Sequence, residues 1–243
     1  MIHLKLDATD STNSFLRELI REGSPESWTV VSAQRQTQGR GQQGSYWFSD
    51  ESKNLTFSIL IKDLGIRAKD QFLLNCAVSN GIFEALKAYG VPRIKVKWPN
   101  DIMSGSSKLA GILIENSLMQ DLISHSIVGI GLNVNQENFP EELPSAVSLF
   151  QLIGNTFDLD QVLSALVSSI QKEVKLITEG RGGVLRSKYE DVLFKRNIPH
   201  MFRLPGGRPF VGRILGVSDK GLLVLQKEDE SIAHYAFKEI QYL

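Results

Sequence analysis

The stretch QTQGRGQQGSYW, residues 36–47, places three glycines and one arginine among amide side chains and ends with two aromatic residues. Such a glycine-rich run does not suit the interior of a helix or strand, so it is predicted to form a loop. Alone, GRG is a weak signal that is typical of a hinge or of a small anion-binding nest. Its meaning therefore depends on the segments around it.

Strand-like runs lie on both sides of this loop. Residues 28–34 (WTVVSAQ) are short and rich in β-branched residues, and in residues 54–62 (NLTFSILIK) apolar and polar residues alternate. Three similar runs follow later in the chain: IKVKW (94–98), KLAGILIE (108–115) and HSIVGIGLNVN (125–135). The sequence therefore predicts a β-sheet of at least five strands.

Helical spacing of apolar residues predicts helices over residues 14–22, 70–89, 158–178 and 187–194. After Phe194 the pattern changes to short β runs that are joined by the turns PGG, SDKG and KEDES. This change predicts two domains. Residues 1–194 would form the larger one and residues 195–243 a small β-barrel.

Composition limits the function. Lys and Arg together number 27, as do Asp and Glu, so no overall field favours a polyanion or an acidic membrane. The N-terminal MIHLKLDATD lacks the parts of a signal peptide, and no run of about 18 apolar residues occurs. We therefore expect a cytoplasmic protein with no nucleic-acid or membrane partner. Cys76 is the single cysteine, which excludes a disulfide within the chain. The four histidines do not have the spacing of metal ligands, so the sequence does not indicate a zinc site.

Three short motifs carry chemistry, and each allows two interpretations. KVKWPND (95–101), followed by Lys108, suits a polyphosphate bridged by Mg²⁺, but lysines on an edge strand also guard against aggregation. DSTN (10–13) fits a helix N-cap or a site for a small polar head group. GIGLNV (129–134) lacks the third small residue of a dinucleotide fingerprint, and its glycines would admit a backbone or flat ligand, or a simple strand crossing.

Taken together, DSTN, QTQGRGQQGSYW, KWPND, KLAGILIE and GIGLNVN resemble the biotin protein ligases in order and spacing, over nearly the whole chain. The resemblance implies an α+β fold: a mixed β-sheet flanked by helices, related to class II aminoacyl-tRNA synthetases, with a C-terminal SH3-like β-barrel. It also implies a biotin--[acetyl-CoA-carboxylase] ligase. Such an enzyme joins biotin to ATP as biotinyl-5′-AMP and passes the biotinyl group to a lysine of a biotin carboxyl carrier domain.

The resemblance assigns site residues by motif. The implied catalytic residues are Arg40, Lys97, Asp101 and Lys108. The implied binding residues are Ser11, Thr12, Asn13, Gln36, Gly39, Arg40, Gly41, Gln42, Trp47, Lys108, Gly111 and Asn133. Ser11 to Asn13 and Gln36 would line the biotin pocket, and the glycine loop would close over biotin and adenylate as a lid hinged at its glycines.

The remaining roles follow from the same motifs. Lys108 would meet the carboxylate and phosphate end, and Lys97 the nucleotide. Asp101 would serve Mg²⁺ or the acceptor lysine, and Asn133 the adenylate end. Trp47 would either pack on the valeryl chain of biotin or anchor the loop.

Two features qualify the resemblance. The usual family loop is close to GRGRRG, but Gln42 and Gln43 replace the two arginines here, which removes positive charge from the lid. DSTN begins at residue 10, so we expect no DNA-binding winged-helix domain and no repressor function. We also expect the protein to be a monomer or a homodimer. A lipoate-type ligase, expected to carry an RRxSGGG-like loop, and a non-catalytic biotin-binding module remain as alternatives.

Overall fold

The computed structural model describes residues 2–243, the side chain of Gln43 excepted. A seven-stranded mixed sheet forms the centre of the molecule, in the order β1-β2-β3-β7-β6-β5-β4. Its strands are β1 (His3–Thr9), β2 (Val30–Gln36), β3 (Leu55–Lys62), β4 (Ile94–Lys97), β5 (Asp101–Ser104), β6 (Ser107–Met119) and β7 (Leu122–Leu132). β1 pairs with β2 in parallel, and all other pairs in this sheet are antiparallel.

Helices cover both faces of this sheet. They are α1 (Thr12–Glu22), α2 (Phe72–Ala88), α3 (Leu149–Ile153), α4 (Leu159–Thr178) and α5 (Gly182–Asp191). On the front face, Leu16 of α1 is buried against Val31, Leu60 and Ile127. The main core lies behind the sheet, where α2 and α4 pack so closely that a Cβ at Gly81 would lie 2.6 Å from Ile170 Cα.

The C-terminal module is an antiparallel sheet in the order β11-β10-β9-β8-β12. Its strands are β8 (Pro199–Arg203), β9 (Pro209–Val217), β10 (Leu223–Lys227), β11 (Ile232–Tyr235) and β12 (Gln241–Tyr242). In the described part of the chain β11 and β12 do not pair with each other, so the sheet is open at these strands. The expected mixed sheet with helices and an SH3-like C-terminal module is confirmed, but the module is an open sheet rather than a closed barrel.

Several elements differ from the sequence prediction. β1, β5, β12 and α3 were not predicted. β5, β12 and α3 are very short, and β1 has no fully buried residue although its apolar and polar residues alternate. The first helix begins at Thr12, before the predicted start, and α5 spans 182–191 rather than 187–194. Gly180, the first residue of the GRGG segment (180–183), separates α4 from α5. Its φ of +70° lets the chain change direction there.

The two sheets touch at β4. Val96 N donates to Val192 O at 3.0 Å, and Phe194 N donates to Val96 O at 2.8 Å, so the chain leaving α5 runs along this edge strand. Trp98 Nε1 donates to Gly221 O of the C-terminal module at 2.9 Å. The domain boundary at 194/195 stays a prediction.

Within the described residues, no helix is both long and apolar enough to span a membrane. The cytoplasmic location stays a prediction.

Candidate active site

One row of residues crosses the central sheet. Backbone pairing places opposite one another Thr56 of β3, Gly131 of β7, Gly111 of β6, Asp101 of β5 and Lys97 of β4. Residues paired across strands project to the same face. The row therefore begins with a polar side chain, continues with two glycines that carry no side chain, and ends with two charged side chains. From Gly131 to Lys97 it lines a cavity of about 290 Å³.

The cavity collects nearly all of the predicted site residues. Those that line it are Ser11, Thr12, Asn13, Gln36, Arg40, Gly41, Gln42, Trp47, Lys97, Asp101, Lys108 and Gly111. Gly39 and Asn133 do not. Gly39 lies at the base of the loop, where a Cβ would come within 2.6 Å of Trp47 O. Asn133 is buried and donates from Nδ2 to Val147 O at 3.1 Å, so it holds the segment before α3.

A hydrogen-bonded network forms the polar end of the cavity. Gln36 Oε1 accepts from Thr12 N at 2.8 Å and lies 3.2 Å from Thr12 Oγ1. Ser58 Oγ lies 2.7 Å from Thr12 Oγ1 and 2.6 Å from Asn13 Oδ1. Thr12, Asn13 and Ser58 are buried. Their donors and acceptors are therefore fixed in direction before any ligand arrives.

The network continues to two residues that sequence reasoning missed. Asn13 Nδ2 donates to Glu115 Oε2 at 2.6 Å, and Arg17 Nη2 donates to Glu115 Oε1 at 2.6 Å. Ser58 was also missed, although it is a polar residue within a strand that is buried over nearly its whole length. A Cβ at Gly129 would lie 2.4 Å from Asn13 Oδ1, so this glycine makes room for the amide.

These contacts bear on the two interpretations of DSTN, as a helix N-cap and as a site for a small polar head group. Ser11 occupies the N-cap position of α1, but its side chain makes no capping hydrogen bond. Thr12 and Asn13 direct their side chains into the network instead. Of the two interpretations of DSTN, the N-cap does not describe these side chains. Ser11, Thr12 and Asn13 line the cavity instead, because the helix begins two residues earlier than expected.

The glycine loop forms a short hairpin. Trp47 N donates to Gly39 O at 3.0 Å, and Gly41 N donates to Ser45 O at 2.7 Å. Among the three loop glycines only Gly44 has a positive φ, of 84°, which the turn requires. Hairpin hydrogen bonds hold Gly39 and Gly41, and the hinge role of the three glycines stays a prediction.

Trp47 joins the loop to the sheet. A Cβ at Gly131 would lie 2.2 Å from Trp47 Cε2, and one at Gly111 would lie 3.1 Å from Trp47 Cζ3. The paired glycines thus admit the flat indole ring, which anchors the loop. Two buried polar atoms here lack a hydrogen-bond partner among the described residues, Trp47 Nε1 and Gln42 Oε1. The side chain of Gln43 lies outside the described residues. Arg40 Nη2 donates to Ser14 Oγ.

The opposite end of the cavity is charged. Lys108 Nζ lies 2.7 Å from Asp101 Oδ1 and 5.6 Å from the centroid of the Trp47 ring. Lys97 Nζ lies 4.8 Å from the centroid of the Tyr242 ring. Burial lowers the pKa of Lys97, with Asp101 opposing and Lys108 adding to the shift. Two ammonium groups and one carboxylate leave a net positive end that suits an anion.

The two lysines of KVKWPND fit different interpretations of this motif, one as protection of an edge strand and the other as part of a phosphate site. Lys95 and Lys97 share one face of β4, but Lys95 is exposed whereas Lys97 is half-buried. Lys95 fits the edge-strand interpretation and Lys97 fits the site.

The residues do not form a metal cage. No group of three His, Cys, Asp or Glu side chains that could hold a metal ion occurs in residues 2–243. Asp101 is paired with an ammonium instead of a second carboxylate. Mg²⁺ is commonly held by one or two carboxylates together with nucleotide phosphates, so any Mg²⁺ here would depend on the nucleotide. The assignment of Asp101 to Mg²⁺ stays a prediction, and no step below depends on it.

The C-terminal module also lines the cavity, through Phe237, Ile240 and Tyr242. Sequence reasoning missed all three, because no motif in the last strands marks them.

Comparisons with known proteins agree with this geometry. The sequence model of the biotin/lipoate A/B protein ligase family matches residues 6–133. The bifunctional ligase/repressor BirA of Bacillus subtilis is 31% identical over 229 residues, which cover 92% of this chain and 69% of that protein. The biotin--[acetyl-CoA-carboxylase] ligase of Mycobacterium tuberculosis is 28% identical over 221 residues, which cover 89% of this chain and 80% of the relative.

A solved structure extends the match to the C-terminal module. The biotin protein ligase of Aquifex aeolicus in complex with biotin and ATP has a TM-score of 0.81 and 28% identity, and the match covers 100% of this chain and 99% of that one. The family model spans more than half of the chain. The chain therefore belongs to the biotin/lipoate A/B protein ligase family.

Proposed function

We propose that this protein is a biotin--[acetyl-CoA-carboxylase] ligase. It activates biotin with ATP to biotinyl-5′-AMP and transfers the biotinyl group to a lysine of a biotin carboxyl carrier domain. The observation that carries the proposal is the graded row across the sheet. This row runs from the paired glycines to the cationic end, and the same cavity is lined at its other end by the hydrogen-bonded residues Thr12, Asn13 and Gln36.

The polar end suits the ureido ring of biotin. This ring is neutral and presents one carbonyl acceptor and two N–H donors in a small area. Thr12, Asn13 and Gln36 line this end with hydroxyl and amide groups, and the buried Ser58 hydroxyl holds Thr12 and Asn13 from behind. Each buried polar group left unpaired costs about 1–3 kcal/mol, so the pocket favours a ligand that supplies matching groups.

The charged end suits the reacting groups. A carboxylate oxygen of biotin attacks the α-phosphorus of ATP and pyrophosphate leaves, although both reactants are anions that repel each other. Lys108 and Lys97 lower this repulsion by holding positive charge in fixed positions. The ion pair with Asp101 fixes the Lys108 ammonium in that place.

The second step consumes the mixed anhydride. The amine of the acceptor lysine attacks the biotinyl carbonyl carbon, the bond to the phosphate oxygen breaks, and AMP leaves. Asp101 is the carboxylate at this end that is suited to accept the proton that the acceptor lysine loses on forming the amide. The loop from Gly39 to Trp47 would cover the anhydride and exclude water while it waits.

A lipoate-type ligase fits less well. The dithiolane ring of lipoate carries no N–H or carbonyl groups. It would gain no hydrogen bonds from the hydroxyl and amide groups of Thr12, Asn13 and Gln36 that line this end, whereas the ureido ring of biotin would. A non-catalytic biotin-binding module would not need the ion pair of Lys108 and Asp101 at the far end.

One experiment separates these functions. Exchange of labelled pyrophosphate into ATP is measured with biotin or with lipoate, and intact-mass analysis then follows a biotin carboxyl carrier domain as acceptor. Biotin should drive exchange and add the mass of one biotinyl group, and lipoate should do neither. If biotin binds but drives neither, the ligase assignment fails and the binding module replaces it. The cytoplasmic location, the absence of a nucleic-acid partner and the monomer or homodimer state stay predictions.

A further inference from the structure

The C-terminal module supplies the only aromatic ring that faces Lys97 within the described residues. Lys97 Nζ lies 4.8 Å from the Tyr242 centroid, and no ion pair or hydrogen bond of this ammonium occurs among the described residues. A cation over a tyrosine ring within about 6 Å is attracted by the negative face of the ring. The lysine is therefore held by a residue that lies 145 positions later in the chain, close to its C-terminus.

Tyr242 itself is fixed by its own module. It pairs with Phe202 across β12 and β8, and the two ring centroids lie 5.2 Å apart. His200 and Phe194 also place their rings next to it, at 6.1 Å and 6.4 Å. This cluster leaves the tyrosine ring little freedom, so the ring can hold a flexible side chain in place.

The neighbouring residue is tied to the same module. Trp98 Nε1 donates to Gly221 O, and the Trp98 and Phe237 rings meet edge to face at 6.5 Å. The backbone of the KWPND turn is thus held by one contact, and the ammonium of Lys97 by another. Loss of the Tyr242 ring would release the ammonium and leave the backbone in place.

From these contacts we infer that Tyr242 is a positioning residue, whose ring holds the Lys97 ammonium at the charged end of the cavity and so strengthens ATP binding. The inference rests on the proposed function, because it assigns the charged end to ATP. The ring, and not the hydroxyl, does this. The hydroxyl is buried and has no hydrogen-bond partner among the described residues.

The test compares variants by steady-state kinetics of biotin-dependent pyrophosphate exchange. Tyr242→Leu removes the ring and should raise KM for ATP about tenfold, since a partly desolvated cation–π contact corresponds to roughly 2-fold to 30-fold in affinity. KM for biotin should stay within about twofold, because the polar end is untouched. Tyr242→Phe keeps the ring and should behave as the wild type.

Two controls separate positioning from folding. Tyr235→Leu changes a buried tyrosine of β11 that does not line the cavity, so it reports damage to the module alone. Tyr242→Met fills much of the same volume without a π face and serves if the leucine variant melts early. In a Lys97→Met background, Tyr242→Leu should add no more than about a twofold change in KM for ATP.

The outcomes are distinct. The inference is overturned if KM for ATP is unchanged in a folded Tyr242→Leu or Tyr242→Met protein, or if Tyr242→Phe is as impaired as these. An equal rise in Tyr235→Leu overturns it as well, as does a full additional loss in the Lys97→Met background. If the wild type shows no biotin-dependent exchange, the proposed function fails instead. ATP binding by calorimetry then still compares the Tyr242 variants without turnover.

Discussion

The two ends of the cavity are built in different ways. At the polar end, Thr12, Gln36, Ser58 and Asn13 satisfy one another through short hydrogen bonds before a ligand is present. Under the loop, buried polar atoms of Trp47 and Gln42 have no hydrogen-bond partner in the described part of the chain. Buried unpaired groups are costly, so their concentration in a cavity marks a place that a ligand completes.

This difference indicates that the polar end recognises the ligand and that the charged end holds the reacting groups. A satisfied network is rigid and selects a ligand by the direction of its donors and acceptors. A charged end, assembled from β4 to β6, the loop and the C-terminal module, instead meets groups whose charge changes during the reaction. Variants at the two ends should therefore affect different kinetic constants.

The largest effect is expected from Lys108→Ala. Loss of the ammonium removes a preorganised charge at the phosphorus under attack, so biotin-dependent pyrophosphate exchange should fall about a hundredfold or more. Biotin binding, measured by calorimetry, should weaken far less because the ring contacts remain. Lys95→Ala is the matched control, since Lys95 is an exposed lysine near the same motif.

Unchanged exchange in Lys108→Ala would break the comparison, because the charged end would then do no chemistry. An equal loss in Lys95→Ala would mean that general charge, and not position, matters.

The next effect is expected from Ser58→Ala at the polar end. It removes the hydroxyl that lies between Thr12 and Asn13, and KM for biotin should rise about tenfold, which corresponds to roughly 1.4 kcal/mol. KM for ATP should change little. Ser126→Ala is the control, because Ser126 is an equally buried serine of the same sheet that bonds to Asn116 Oδ1 away from the cavity. A rise in KM for ATP as large as that for biotin would argue against separate ends.

A smaller effect is expected from Gly131→Ala, at the junction of the two ends. The new methyl group would overlap the Trp47 ring, and overpacking of this kind costs about 1–3 kcal/mol. The displaced loop should release biotinyl-5′-AMP faster, which a filter assay of the bound adenylate measures. Gly183→Ala controls for the substitution itself, because no atom lies within 4 Å of a Cβ there. The double variant Gly131→Ala with Trp47→Ala should recover part of the loss; no recovery would show that the ring is not what the methyl group displaces.

The sequence predicted the parts of this fold that local patterns control. β3, α2 and α4 have long apolar periodicity, so their existence followed from the spacing of apolar residues alone. β5 and β12 are too short to show a period, and β1 alternates apolar and polar residues without burying any of them. Pairing with neighbouring strands decides all three. The family motifs supplied most of the cavity residues.

The contacts that sequence reasoning missed join segments that are far apart in the sequence. Asn13 meets Glu115 across 102 positions of sequence, and Tyr242 reaches Lys97 only because a separate module packs on β4. Such contacts depend on strand order and register. The spacing of residues along a single sequence predicts neither of them.

The smallest effect is expected from Gln42→Arg, which would restore positive charge to the loop. Gln42 lines the cavity, and its buried Oε1 has no hydrogen-bond partner among the described residues. A guanidinium there would form charge-assisted hydrogen bonds with the adenylate phosphate, so release of biotinyl-5′-AMP should slow by about threefold to tenfold. Gln38→Arg is the control, because Gln38 is exposed in the same segment and does not line the cavity. Equal release from wild type and Gln42→Arg would show that the lost arginine is not what limits retention, and that the hairpin bonds and Trp47 hold the loop over the adenylate without it.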